Sequence, residues 1–247
     1  MKDFSIKLAD STRSTLAKLV CAFPQDLRED VLDVWLRQIR SDDAYQASPV
    51  VVRGGYQVQE LLNAWDALYP ESVFAYLPKQ DGYNVSASPF RVNGEDVRVP
   101  YRLYFPDLDD GDLLSLNERQ RAILCCIYTR NYDGFVRQKY LRQLMGAKDE
   151  WVLPYVLALV GEYVSEINEV IFQNIGQINV ESVQKFMSEN EAFRDLLEQR
   201  VISYWDCYYR SDCDLEDCVS VRVLKALGLW TRKRCLLRYG KKTKGLL

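Results

Sequence analysis

The chain has 247 residues, of which 48% are hydrophobic and 27% are charged, and its formal net charge at pH 7 is -3. This length and apolar content are enough to bury a substantial core, in one large domain or two small ones, and they argue against an intrinsically disordered chain. The small net charge predicts no general attraction to polyanions.

The sequence contains no histidine. Histidine is the usual general base near neutral pH and the most common metal ligand, so its absence excludes several classes of enzyme and metal site. The excluded classes are Ser-His-Asp and Cys-His hydrolases, HExxH metalloproteases, Cys2His2 zinc fingers and Glu-x-x-His di-iron bundles. Chemistry based on carboxylates, lysine, tyrosine or thiols stays open.

Several features bear on the cellular compartment. The first residues carry mixed charges instead of the apolar run of a secretory signal. The longest uncharged stretch, around Val152, is well short of the ~20 residues that a membrane span requires. Seven cysteines, two of them adjacent at Cys125-Cys126, do not resemble a disulfide framework. We therefore expect a cytoplasmic protein with reduced thiols and no membrane partner.

Basic residues are concentrated at the C-terminal end of the sequence. Residues 231–247, here called the basic tail, hold seven basic residues and no acidic one. Residues 1–230 hold 25 basic and 35 acidic residues, so this part of the chain is acidic.

The N-terminal region is predicted to be helical and to be followed by a hairpin. Helices are expected at about 11–21, 24–40, 58–68 and 70–78, with Pro24 in a first-turn position. Asn93-Gly94 lies between Phe90-Arg91-Val92 and Val97-Arg98-Val99 and predicts a small β-hairpin near 90–104, because both turn positions tolerate positive φ. Pro100 and Pro106 place this hairpin at an edge or on the surface.

Strong helix signals return after residue 113. Ser115 to Glu118 has capping-box spacing, and helices are expected at 117–129 and 135–145. The segment Trp151 to Gly161 is apolar on every side, so we predict a buried central helix from about Asp149 to Phe172. Further amphipathic segments follow at 179–209 and 215–229.

These patterns predict a mainly α fold, either a multi-helix bundle or a short α-α stack around the central buried helix. The expected organisation is a single domain over 1–247. Its parts are the N-terminal helices (1–78), a hairpin and loop insertion (79–112), a helical core (113–230) and the basic tail (231–247).

The segment from Asp133 to Leu144, D-G-F-V-R-Q-K-Y-L-R-Q-L, resembles the turn and second helix of a HEAT-like repeat, whose pattern is roughly D-x-x-V-R-x-x-A-x-x-x-L. Asp133, Val136, Arg137 and Leu144 match, and Tyr140 replaces the small residue. With the preceding helix the resemblance covers about one repeat, residues 117–145. It implies stacked antiparallel helices with a protein-binding surface, and Arg137 is accordingly an interaction candidate. The alternative is a helical domain with one similar hairpin.

Three glutamates follow the apolar segment at helical spacing. Glu162, Glu166 and Glu169 would lie on one face of the predicted central helix. Carboxylates that emerge from a buried helix can bind a metal ion or act as acid and base. We favour the alternative that they form the solvated face of a helix leaving the core, since no histidine is present to complete a familiar di-metal site.

Two other groups of residues, four cysteines and an acidic loop, are of the types that bind metal ions. Cys207, Cys213, Cys218 and Cys235 lack the tight C-x2-C pairs of zinc and iron-sulfur sites, so separate free thiols are expected. The acidic loop from Asp107 to Asp112 departs from an EF-hand, because Gly111 stands at a ligand position and Asp112 where the glycine belongs. No metal and no cofactor are predicted.

The basic tail is the candidate for nucleic-acid binding. Trp230 and Tyr239 are interleaved with its basic residues, and Trp230, Arg232, Lys233 and Arg234 are suited to stack on bases and contact phosphates. Neither GxxxxGK[ST] nor GxGxxG occurs, so the usual nucleotide-binding signatures are missing.

The leading hypothesis is a non-enzymatic protein that binds another protein through its acidic surface, hairpin and exposed aromatic residues. One specific version is a bacterial immunity or neutralising protein, because an acidic surface suits a basic toxin. The alternatives are a nucleic-acid-binding protein that uses the basic tail and a carboxylate-based enzyme that uses the three glutamates. The interaction candidates are Glu162, Glu166, Glu169, Arg137, Trp230, Arg232, Lys233 and Arg234.

Overall fold

The computed structural model describes residues 18–41, 89–105, 107 and 116–231; for residues 36–41 it describes the backbone only. The helices expected at 58–68 and 70–78, most of the acidic loop and nearly all of the basic tail lie outside these residues. The chain divides into two compact units, Met1–Ala147 and Lys148–Leu247. The single domain over 1–247 stays a prediction.

The described residues confirm the predicted mainly helical fold with one small antiparallel sheet. In the N-terminal unit, residues 18–20 are helical, and a 3-10 helix, Gln25–Leu27, follows Pro24. The longer elements are α1 (Arg28–Ser41), β1 (Phe90–Val92), β2 (Glu95–Val97), α2 (Glu118–Tyr128) and α3 (Gly134–Leu144). None of the described helices is long and apolar enough to cross a membrane.

The hairpin turn forms where Asn93-Gly94 predicts it. Both residues have positive φ, 51° and 83°, and Val92 pairs with Glu95 across the turn. The second strand, β2, begins directly after the turn at Glu95, two residues before Val97, because a two-residue turn pairs the residues that flank it directly. The Arg98 N–H donates to the Cys21 carbonyl at 2.7 Å, which ties the hairpin to the N-terminal segment.

Helices α2 and α3 pack against each other, and α2 also packs against α1. The capping box lies two residues later than predicted. Asn117 Oδ1 accepts the Gln120 N–H at 2.9 Å, and Gln120 Oε1 accepts the Asn117 N–H at 3.3 Å. Asp133 caps α3 by accepting the Phe135 N–H at 2.8 Å. Helices α2 and α3 lie within residues 117–145, the segment that resembles one HEAT-like repeat. A stack of such repeats stays a prediction.

The C-terminal unit is entirely helical in its described part. Its longer helices are α4 (Leu153–Val160), α5 (Ser165–Gln173), α6 (Val180–Glu189), α7 (Glu191–Tyr204) and α8 (Val219–Ala226). A π-helix, Trp205–Tyr209, continues α7, and 3-10 helices occupy Glu150–Val152, Ile175–Gln177 and Leu215–Asp217.

Helix α4 is the buried helix that the apolar segment predicts. Every residue from Pro154 to Val160 is buried, and α4 contacts α5, α7 and α8. The expectation that one helix continues from Asp149 to Phe172 was wrong, because α4 ends at Gly161 and α5 starts at Ser165.

Close packing against α7 explains why glycine stands at this break. A Cβ added to Gly161 would lie 2.9 Å from Leu197 Cδ1 and 3.4 Å from Arg200 Cδ, both on α7. A distance under 3.0 Å is shorter than a normal van der Waals contact, so an added side chain would displace Leu197 or push the break away from α7.

We expect Gly161→Ala to lower the free energy of unfolding by about 1–3 kcal/mol, since Leu197 is buried and has little room to move. Gly176→Ala is the matched control, because a Cβ there meets nothing within 4 Å. Urea unfolding monitored by circular dichroism measures both variants. Equal stability of the two variants would contradict the close-packing argument.

Candidate protein-binding surface

Four tyrosines of the C-terminal unit contact one another at the end of α7. This tyrosine cluster consists of Tyr163, Tyr204, Tyr208 and Tyr209. The ring centroids of Tyr163 and Tyr208 are 5.7 Å apart, and Tyr204 lies 6.1 Å from each of these two rings. The Tyr208 and Tyr209 centroids are 6.4 Å apart. These separations fall in the range of favourable aromatic pairs.

Two separate segments bring these rings together. Tyr204 ends α7, and Tyr208 and Tyr209 belong to the π-helix that continues it. Tyr163 lies in the connection that follows Gly161, and its carbonyl accepts a hydrogen bond from the Tyr209 hydroxyl. The close approach of Gly161 to α7 therefore places Tyr163 beside the end of the same helix. Short π-helical segments are often found at functional sites.

The cluster is well exposed. Tyr208 is 57% exposed and Tyr163 48% exposed, while Tyr204 and Tyr209 are half-buried. Contiguous exposed aromatic surface often marks an interaction site. Tyrosine combines a large apolar ring with a hydroxyl and has few rotatable bonds, so it gives contact area at a low cost in entropy.

The surroundings of the cluster are acidic. Residues 148–231 hold 15 acidic and seven basic side chains. Five of these acids, Asp206, Asp212, Asp214, Glu216 and Asp217, lie within or directly after the π-helix. Arg210 pairs with Asp206 at 3.0 Å and Lys225 pairs with Glu216 at 2.8 Å, so two of the five charges are partly balanced. The local potential favours a positively charged partner.

Hydrogen bonds hold the loop after the π-helix in place. The Trp205 indole N–H donates to the Cys213 carbonyl at 3.0 Å. Burial, and after it the charge of the neighbouring Cys218, raises the pKa of the Cys213 thiol above its usual value. Cys218 in turn contacts the Ser220 hydroxyl at 3.2 Å. The loop thus presents its acids from a fixed backbone.

A second aromatic surface lies on the N-terminal unit. Tyr104, Tyr132 and Phe135 are 73%, 58% and 84% exposed, and the rings of the two tyrosines stack with centroids 5.6 Å apart. The Leu103 N–H donates to the Arg130 carbonyl at 2.7 Å, which holds the two tyrosine-bearing segments together. We refer to these three residues as the N-terminal aromatic surface.

The predicted glutamate stripe does not exist as one helical face. Glu162 lies in the connection between α4 and α5, whereas Glu166 and Glu169 are exposed on α5. The break at Gly161 separates them, so the expectation of three aligned carboxylates was wrong. Within the part of the chain that the structure describes, no group of three or more Cys, Asp or Glu side chains is arranged to hold a metal ion.

Arg137 is buried and supports the turn before α3. Its exposed fraction is 2%, and its Nη1 donates to the carbonyls of Asn131 and Tyr132 at 2.9 and 3.0 Å. Burial keeps this interaction candidate from the surface, and its hydrogen bonds fix the backbone that presents Tyr132.

The start of the basic tail is anchored to α7. Trp230 is half-buried, and Thr231 donates to the Glu198 carboxylate through its N–H at 3.2 Å and its hydroxyl at 2.7 Å. Arg232, Lys233 and Arg234 lie outside the described residues.

Sequence reasoning missed the tyrosine cluster, although the spacing of Tyr204 and Tyr208 is a local signal for neighbouring rings on one helix.

No family model, no curated protein and no solved structure matches the chain.

The described cysteines are free thiols with different exposure, and this makes a testable prediction. Burial raises the pKa of Cys125 to about 12 and that of Cys21 to about 11. At pH 8 Cys125 then holds roughly 1,000-fold less thiolate than an ordinary thiol, because each pKa unit is a factor of ten. We expect iodoacetamide to alkylate the exposed Cys207 first and to reach Cys21 and Cys125 after unfolding. Mass spectrometry of native and urea-treated protein measures this order, and equal rates in the native protein would contradict the burial.

Proposed function

We propose that this chain is a non-enzymatic protein-binding module whose contact surface is the tyrosine cluster. The partner presents basic residues to this surface. One observation carries the proposal: four tyrosines joined in one contact cluster, two of them about half exposed, lie in an acidic part of the chain.

The chemistry of the surface supports this function. Interface hot spots are enriched in tyrosine, which gives affinity by burying a rigid ring against the partner. The acids beside the cluster attract a basic partner over a distance of about 8–10 Å and disfavour an acidic one. Arginine and lysine also interact favourably with the faces of tyrosine rings, so one partner segment engages both features.

Within this class, a bacterial immunity or neutralising protein is the specific version that suits an acidic surface. The cytoplasm remains the proposed location. A carboxylate-based enzyme is the less favoured alternative, because the break after α4 separates Glu162 from Glu166 and Glu169. Nucleic-acid binding through the basic tail stays a prediction.

The proposal is tested by capture of protein partners from nuclease-treated native lysate. The natural chain is expected to recover a stoichiometric partner with a basic surface. Tyr208→Ala should weaken this complex by about 2 kcal/mol, or roughly 30-fold, if Tyr208 is a hot spot. Quantitative mass spectrometry and a titration with the purified partner measure the effect.

Phe135→Ala is the matched control, since it removes an exposed ring from the N-terminal aromatic surface, and Phe135 is even more exposed than Tyr208. It should leave the partner bound. A partner that is lost with Phe135→Ala and kept with Tyr208→Ala would move the binding surface to the N-terminal unit. Recovery of no stoichiometric partner would contradict the proposed function as a whole.

A further inference from the structure

We propose that the tyrosine cluster has an intramolecular ligand: the basic tail of the same chain binds it and competes with the partner. The competition rests on the proposed function, whereas the binding of the tail rests on charge, position and length. The partner must then displace the tail, so the chain carries its own inhibitor of binding.

The position of the tail brings it close to the cluster. Leu229 is buried, and Thr231 is held by Glu198 on α7. Tyr204 lies six residues after Glu198 on the same helix, which is about 9 Å along the helix axis. The basic tail therefore leaves the fold from the helix that carries the cluster.

The tail is long enough to reach every part of this surface. Sixteen residues follow Thr231 in the sequence, and an extended chain of this length spans up to about 50 Å. Because tail and surface belong to one chain, their effective concentration is in the millimolar range for a short flexible connection. A contact with a Kd of about 0.1 mM is then occupied roughly 90% of the time.

Charge makes the tail a suitable ligand for this surface. Residues 232–247 carry seven basic side chains and no acidic one, whereas residues 148–231 carry more than twice as many acids as bases. Arginine already packs on an aromatic face in this unit, since the Arg222 guanidinium lies 4.2 Å from the Phe172 ring centroid. The exposed tyrosine rings can form the same type of contact with the arginines of the tail, Arg232, Arg234 and Arg238.

The experiment uses the full chain and a fluorescent synthetic peptide with the sequence of residues 232–247. In a neutral-tail variant, all seven basic residues of the tail are replaced by glutamine. Fluorescence anisotropy should show the peptide binding to the neutral-tail variant, with an affinity that falls as salt rises. The natural chain should bind it at least ~10-fold more weakly, because its own tail occupies the surface.

Substitutions in the neutral-tail variant locate the binding surface. Tyr208→Ala and Asp212→Asn should each reduce the affinity for the peptide. Val180→Ala and Glu181→Gln, exposed positions at the start of α6, are the matched controls and should leave it unchanged. Circular dichroism confirms that each variant is folded.

Three outcomes would overturn the inference. The first is equal binding of the peptide to the natural and neutral-tail chains, and the second is binding to neither chain. The third is a loss of peptide affinity in the control substitutions as large as the loss caused by Tyr208→Ala. A single-stranded DNA oligonucleotide that binds the natural chain and not the neutral-tail variant, with no peptide binding, would assign the tail to nucleic acid instead. The proposed function survives each of these outcomes if lysate capture still depends on Tyr208, so the two proposals fail separately.

Discussion

The burial of α4 is the constraint on which the C-terminal unit depends. A helix whose residues from Pro154 to Val160 are all buried has no face for water, and each fully buried valine or leucine contributes about 1.5–3 kcal/mol. Helices α5, α7 and α8 must therefore surround it. Because the chain leaves α4 at Gly161 in close contact with α7, the next connection runs beside α7 and brings Tyr163 to its end.

The tyrosine cluster follows from this packing. The close contact at Gly161 fixes one side of the cluster, and the π-helix after α7 fixes the other. The hydrogen bond from Tyr209 to the Tyr163 carbonyl joins the two sides, so the rings are arranged before any partner arrives. Preorganised aromatic side chains lose little entropy on binding, and the acids of the following loop add preference for a basic segment.

Two local signals predicted local structure correctly. The hairpin at Asn93-Gly94 needs only a two-residue turn with positive φ, and the burial of α4 follows from its continuous apolar sequence. The break at Gly161 was not predicted, because the close packing of Gly161 against Leu197, far along the chain, exists only in the folded structure. The cluster was missed for the same reason: Tyr163 meets Tyr208 only after folding, and no periodic pattern connects them. The three glutamates were predicted as one face because helical spacing was extended across that break.

The most direct test of the binding surface is site-specific photocrosslinking of the full chain. A photoreactive phenylalanine analogue replaces Tyr208, and in a control chain it replaces Val180, which is 40% exposed on α6. Illumination in native lysate followed by mass spectrometry identifies the crosslinked peptides. The probe at Tyr208 is expected to crosslink to arginine- and lysine-rich peptides, from one partner protein and from the basic tail. Identical crosslinks from both positions, or none from Tyr208, would contradict the proposed binding surface.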